Sequence, residues 1–121
     1  MLLAVPVLSM GGNSSKRAMA LTKAQELVAH NPLVVFSKTY CPYCTRVNKL
    51  FASVGARPKV IELDIEGDGS ELQAALAEWT GQQTVPNVFI GGKHIGGCDD
   101  TVATHNKGKL IPLLKDAGAL A

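Results

Sequence analysis

Apolar and polar residues alternate along the chain in two patterns, one typical of β-strands and one typical of α-helices. Continuous or alternating apolar runs predict four strands, at residues 33–37, 59–64, 88–90 and 94–95. Apolar residues spaced three or four positions apart predict helices at residues 22–29, 42–54, 70–80 and 99–116, the last interrupted near Gly108. The predicted elements therefore follow the order α-β-α-β-α-β-β-α.

Residues that end helices and form turns separate these elements. Thr22 followed by Gln25 has the form of a capping box for the first helix, and the Asn-Pro pair at 31–32 ends that helix. The Gly-Gly pair at 91–92 lies between two apolar runs and predicts a hairpin. The first two strands, joined by a helix, form a right-handed parallel unit. We therefore predict an α/β fold, a mixed four-stranded sheet flanked by helices on both faces.

Composition narrows the class of protein. The chain has 121 residues, of which 46% are hydrophobic and 18% charged, as in an ordinary globular domain. Phe51 and Trp79 are expected in its core. The net charge of +2 is too weak to indicate nucleic-acid binding. No apolar run approaches the length of a membrane span, so no membrane partner is expected.

The first twenty residues differ from the rest of the chain. Residues 1–8 are mostly apolar, and the positive charges Lys16 and Arg17 come after that run, whereas a secretory signal would place them before it. We expect residues 1–20 to be a flexible extension or a targeting segment, and residues 21–121 to form one domain. The predicted location is the cytoplasm. The alternative is a chloroplast or mitochondrion, because the segment contains three serines and lacks acidic residues.

A Cys-Pro-Tyr-Cys motif at 41–44 lies between a predicted strand and a predicted helix. Cys41 as N-cap would place Pro42 at the first helical position, where its missing N–H costs nothing. The positive end of the helix dipole then stabilises a thiolate on Cys41. Cys44 lies three residues on and deeper, and we expect it to be less acidic. We therefore predict that Cys41 attacks and that Cys44 resolves the mixed disulfide.

A zinc site is the competing interpretation of these thiols. A closed zinc site needs four ligands, and the additional ones would have to come from Cys98, His94 or His105. The chain has no second C-x-x-C pair and no pair of histidines at ligand spacing, so we expect no metal. A purely structural disulfide is disfavoured because so short a loop constrains little of the unfolded chain.

Three sequence blocks together resemble the dithiol glutaredoxins, particularly those of plants. They are SKTYCPYC at 37–44, TVPNVFI at 84–90 and GGKHIGGCDD at 91–100, and the likeness extends over roughly residues 21–117. The resemblance implies the thioredoxin fold, glutathione as co-substrate, and a monomer that reduces glutathionylated proteins and disulfides. Thioredoxins themselves usually have Gly-Pro between the cysteines and Trp before them, which this chain lacks.

The resemblance also implies a glutathione groove. In the family, residues at the places of Lys38 and Gln83 hold the glycine carboxylate, and a residue before a cis-proline pairs with the cysteinyl part. A Gly-rich helix start holds the γ-glutamyl carboxylate, and Asp99 stands where the family pairs an acid with the amine. Asp100 is expected to cap the helix instead. The expected groove residues are Lys38, Tyr43, Gln83, Thr84, Val85, Pro86, Gly97, Cys98 and Asp99.

Two other functions remain open. Some glutaredoxins carry an iron–sulfur cluster between two subunits, but those usually have Gly or Ser where this chain has Pro42, so catalysis is favoured. The chain could also be a thioredoxin-like reductase served by a flavoprotein, but the matches to a glutathione groove argue against it. Cys98 carries a third thiol, and we expect a small, partly buried residue there.

Overall fold

The computed structural model describes residues 12–121, and the element order predicted from the sequence is confirmed there. The elements are α1 (Gly12–His30), β1 (Leu33–Ser37), α2 (Pro42–Ser53), β2 (Lys59–Glu62), α3 (Gly69–Thr80), β3 (Asn87–Ile90), β4 (Lys93–Gly96), α4 (Cys98–Asn106) and α5 (Leu110–Ala117). The predicted last helix is divided into α4 and α5 near Gly108, as its glycine suggested. None of the helices in this part of the chain is long and apolar enough to cross a bilayer.

The sheet has four strands in the order β2-β1-β3-β4. β1 and β2 are parallel, with Val35 opposite Val60, because α2 carries the chain back across the sheet between them. β1 and β3 are antiparallel, and β3 and β4 form the predicted hairpin. The predicted mixed four-stranded sheet is therefore confirmed, with β1 in its interior between β2 and β3.

Both faces of β1 are buried, which explains its continuous apolar sequence. Val34 and Phe36 contribute to one hydrophobic cluster, which includes residues of α1 and α3. Leu33 and Val35 contribute to the other, which includes residues of α2, α4 and α5. All four side chains are at most 1% exposed. The strand that leads to the cysteine motif is thus fixed from both sides.

The start of the first helix differs from the prediction. α1 begins at Gly12, well before Thr22, so the capping pattern at Thr22 does not start a helix. Ala20, Ala24 and Val28 recur every four residues and are buried in the cluster shared with α3, and this packing carries the helix through Thr22. Residues 12–20 of the expected extension are therefore helical. The rest of that extension lies outside the described residues.

Trp79 was predicted in the core, and that prediction is wrong. Its side chain is 37% exposed, although one face of the ring stacks on Phe89 with the centroids 5.0 Å apart. A large indole at the end of α3 covers the edge of the cluster without entering it, as is common for tryptophan. Phe51, by contrast, is fully buried as predicted.

Candidate active site

The first turn of α2 holds the cysteine motif in the geometry that the sequence predicted. Cys41 is the N-cap with extended backbone angles, and Pro42 occupies the first helical position. The Cys44 N–H donates to the Cys41 Sγ at 3.2 Å. The Cys41 N–H in turn donates to the Lys38 carbonyl at 3.1 Å, which closes the turn before the helix. The sulfur therefore faces an amide that the helix itself leaves unpaired.

The two thiols of the motif differ in exposure. Cys41 is half-buried, whereas Cys44 is 1% exposed and packs beneath the first turn of α2. The pKa of the Cys44 thiol is raised to about 11. Burial is the main cause, and a hydrogen bond with Cys41 is the second. Hydrogen bonds from Ser37 and from the Lys38 backbone act in the opposite direction and do not outweigh burial. Cys44 is thus the deeper of the two thiols, as predicted, and its pKa lies above the ordinary cysteine value.

An open cleft of about 520 Å³ lies beside the motif. Three segments that are distant in sequence form its walls: the start of α2, the loop between α3 and β3, and the start of α4. Its lining residues are Tyr43, Gln82, Thr84, Val85, Pro86, Gly97, Cys98, Asp99 and Asp100. The cleft is roughly large enough for a peptide-sized ligand of a few residues.

The loop before β3 presents backbone groups to the motif. The Val85–Pro86 peptide bond is cis, as the family resemblance implied. The Cys41 thiol lies 3.8 Å from the Val85 carbonyl oxygen, so its sulfur borders the cleft. Gln82 holds the loop in shape, because its Nε2 donates to the carbonyls of Thr84 and Pro86 at 3.0 and 2.9 Å.

The start of α4 forms the other side of the cleft. Gly97 is its N-cap and Cys98 its first residue. The Asp100 carboxylate accepts from the Gly97 N–H at 3.3 Å, which confirms the predicted capping role. Gly96 has a φ of +123°, and a Cβ there would lie 2.2 Å from Asp100 Oδ2, so only glycine allows this close approach. The amides of the first turn are thereby left next to the cleft.

Seven of the nine residues predicted for the groove line this cleft, and two do not. Lys38 is half-buried and precedes the motif, outside the lining. Gln83 is exposed, and its carbonyl accepts from Gln73 Nε2 at 2.8 Å. Gln82 and Asp100 line the cleft and were not predicted to do so. The sequence offers two adjacent glutamines, and only the turn after α3 decides which one faces the cleft.

The third thiol belongs to the cleft wall. Cys98 is 6% exposed, which agrees with the expected small, buried residue. Burial raises the pKa of its thiol, while the nearby Arg46 charge acts in the opposite direction. Its sulfur is therefore protected and mostly protonated at neutral pH.

Comparisons with known proteins agree with this fold and site. The glutaredoxin family model matches residues 33–95. The chain is 71% identical to glutaredoxin-C6 of Oryza sativa subsp. japonica over 103 residues, which are 85% of this chain and 92% of that relative. It is 66% identical to the same organism's chloroplastic glutaredoxin-C4 over 107 residues, 88% of this chain and 80% of that one. A buckwheat glutaredoxin–glutathione complex superposes with a TM-score of 0.88 at 64% identity, covering 88% and 97% of the two chains.

A thioredoxin fold with a C-P-Y-C motif beside an open cleft defines a thiol–disulfide oxidoreductase. The family match and the high identity of the relatives show that this chain belongs to the glutaredoxin family. It is therefore a glutathione-dependent enzyme with glutathione as co-substrate, as the sequence resemblance implied.

Proposed function

We propose that Cys41 performs the first chemical step on glutathionylated substrates. Its thiolate attacks the glutathione sulfur of the mixed disulfide, the S–S bond breaks, and the substrate leaves as a thiolate that takes up a proton. Glutathione remains bonded to Cys41. The thiolate of a second glutathione then attacks the sulfur of the bound glutathione, which forms glutathione disulfide and releases the Cys41 thiolate. The observation that carries this assignment is the Cys41 sulfur at the helix start, 3.2 Å from the Cys44 N–H.

Protein disulfides follow a second route, which needs Cys44. Attack by Cys41 forms a mixed disulfide with the protein and releases one substrate thiolate. The Cys44 thiolate then attacks the Cys41 sulfur, releases the second substrate thiol and closes the Cys41–Cys44 disulfide, which two glutathione molecules reduce. The burial of Cys44 supports this role, because it keeps the second thiol from reacting with incoming substrate.

The cleft is proposed to hold the glutathionyl group during both routes. The Val85 backbone pairs with the cysteinyl part, and the Cys98 amide binds the γ-glutamyl carboxylate at the start of α4, where Gly97 lines the wall. Asp99 pairs with the γ-glutamyl amine. Tyr43, Thr84 and Pro86 also line the wall. Lys38 and Gln83 act outside this lining, as longer-range partners of the glycine carboxylate.

The proposed function also includes the partners and the location of the protein. Glutathionylated and disulfide-containing proteins are the proposed substrates, and the chain acts as a monomer of one domain. Neither nucleic acid nor membrane is a proposed partner, given the net charge of +2. The proposed location is the cytoplasm. A chloroplast is the alternative, since one relative is a chloroplastic glutaredoxin.

A coupled assay tests the proposed function. The purified chain is given a glutathionylated peptide, glutathione, glutathione reductase and NADPH, and NADPH oxidation is followed. A parallel reaction replaces the glutathione system with a flavoprotein thioredoxin reductase. We expect turnover in the first reaction only, and turnover in the second alone would overturn the proposal. Visible absorbance after anaerobic purification would instead support the iron–sulfur alternative.

A further inference from the structure

An exposed carboxylate at the end of β2 contacts the turn that carries the nucleophile. Asp64 accepts the Thr39 backbone N–H at 3.0 Å through Oδ1. Its Oδ2 accepts a hydrogen bond from the Thr39 hydroxyl. These two bonds lower the pKa of the Asp64 carboxyl, the hydroxyl contributing most, so the acceptor is ionised at neutral pH. One side chain thereby holds both donors of a residue 25 positions away in sequence.

The contact continues the parallel pairing of β1 and β2 beyond the last strand residues. The Leu63 N–H donates to the Ser37 carbonyl at 2.8 Å, which is the final backbone bond between these two segments. Asp64 then captures Thr39 with its side chain. Thr39 lies inside the turn that the Cys41 N–H closes on the Lys38 carbonyl at 3.1 Å. The turn that follows the edge strand β2 is thus bonded directly to Thr39, within the turn that precedes Cys41.

Such an exposed contact contributes little to overall stability, because water competes for every group involved. Its effect on geometry is different. The Cys41 sulfur must face the Cys44 N–H and the cleft wall at Val85. A shift of the preceding turn by a fraction of an ångström misplaces the attacking atom, and misplacement of that size is costly in catalysis.

We propose that Asp64 is a positioning residue for the nucleophile, acting through Thr39 on the turn that ends at Cys41. The inference deepens the proposed function and rests on it, since it assumes that Cys41 attacks. Asp64 thus fixes the turn before Cys41 through Thr39, while the first turn of α2 fixes Cys41 through the Cys44 N–H. The hydrogen bonds carry the effect, and the charge of Asp64 does not.

The experiment measures Cys41 reactivity in two ways that depend differently on glutathione. One is the rate of Cys41 alkylation by iodoacetamide at neutral pH, followed by mass spectrometry; the other is kcat/KM in the coupled assay. We expect Asp64→Ala to lower both about tenfold. Asp64→Asn removes the charge but keeps an oxygen that accepts the Thr39 N–H, and we expect it to stay within about twofold of the wild type.

Asp68→Ala is the matched control, because Asp68 also joins two distant segments through a carboxylate, although its side chain is half-buried. It accepts from Lys23 Nζ at 3.1 Å and connects α1 to the loop before α3, far from the motif in the chain. We expect this variant to lose a similar, small amount of thermal stability while its Cys41 alkylation rate remains that of the wild type. The comparison separates positioning from general stability.

Three outcomes would overturn the inference: wild-type rates in Asp64→Ala, an equal loss in Asp64→Asn, or an equal loss in Asp68→Ala. Should Asp64→Ala fail to fold, Thr39→Val tests the same bond from its donor side, with Thr39→Ser as the rescue. A wild-type chain that is alkylated rapidly at Cys41 but inactive with glutathione would refute the proposed function alone. The alkylation rates of the variants would still decide on Asp64.

Discussion

The cleft side and the core side of the first turn of α2 impose opposite conditions on the same chemical group. On the cleft side, the Cys41 sulfur is half-buried, accepts an N–H at 3.2 Å and borders a cleft of about 520 Å³. On the core side, the Cys44 sulfur is 1% exposed, and burial raises its pKa to about 11. One helical turn therefore separates a thiol open to substrate from a thiol protected against it.

The difference in exposure fits the two proposed routes, which require different properties of the two thiols. A nucleophile needs access, while a resolving thiol needs only to reach the nucleophile. The spacing of three residues places both sulfurs on one face of α2, one at its exposed end and one under it. The packing of α2 against the sheet, through Val47 and Phe51, keeps Cys44 on the buried side.

Replacing the cleft-side thiol is expected to have the largest effect. Cys41→Ser removes the attacking sulfur from both routes, so we expect reduction of glutathionylated peptides and of protein disulfides to fall by on the order of a thousandfold or more. The coupled assay measures both. Cys98→Ser is a useful comparison because Cys98 is also a thiol beside the cleft. Substantial activity in Cys41→Ser would show that Cys41 is not the nucleophile.

Replacing the core-side thiol is expected to separate the two routes. Cys44→Ser leaves Cys41 and the cleft in place, so we expect deglutathionylation to stay within about threefold of the wild type. Reduction of protein disulfides through the Cys41–Cys44 disulfide should fall by about a hundredfold, because no resolving thiol remains. Assays with a glutathionylated peptide and with a disulfide substrate distinguish these results. Equal losses in both would contradict the one-cysteine route.

The burial of Cys44 also predicts how stability depends on pH. The folded protein retains the Cys44 proton to a pKa of about 11, whereas the unfolded chain loses it near 9.0. Between these values the native state binds more protons, so the contribution of Cys44 to stability is complete below pH 9 and declines as pH rises toward 11. The slope is at most about 1.4 kcal/mol per pH unit.

Denaturant unfolding at pH 8, 9 and 10 under reducing conditions measures this effect. We expect the free energy of unfolding of the wild type to fall faster with pH than that of Cys44→Ala. The difference between the two proteins cancels the contribution of other groups, including the Cys98 thiol, whose pKa burial also raises. If the free energy of unfolding had the same pH dependence in both proteins, burial would not raise the pKa of Cys44.

Much of the fold could be predicted because apolar periodicity reports burial directly. The continuous apolar run at residues 33–37 indicated the strand β1, and the glycine that divides α4 from α5 was correctly interpreted as a break. The start of α1 could not be predicted, because packing against α3 extends the helix beyond its local capping signal. Trp79 was misplaced because an apolar side chain in a helical pattern does not reveal how near it lies to the domain edge.

The sequence predicted some residues of the site and missed others. The family blocks predicted that Val85, Gly97 and Asp99 lie together, and all three line one cleft, because turns and glycines fix their places in the blocks. Gln82 was missed because its position in the cleft depends on hydrogen bonds to two loop carbonyls. The contact between Thr39 and Asp64 was also missed. It joins residues 25 positions apart, and no local pattern marks either one.

The smallest effect is expected from replacing Asp99, which lines the cleft at the start of α4. Asp99 is exposed at the start of α4, so its proposed pairing with the γ-glutamyl amine is screened by water. We expect Asp99→Asn to raise the KM for the glutathionylated peptide about fivefold, with kcat unchanged within about twofold. Asp116→Asn removes an equally exposed acidic charge from α5 and should leave both constants unchanged. Equal KM values in the two variants would show that Asp99 caps the helix and does not bind glutathione, which would confine recognition on the cleft side to backbone amides.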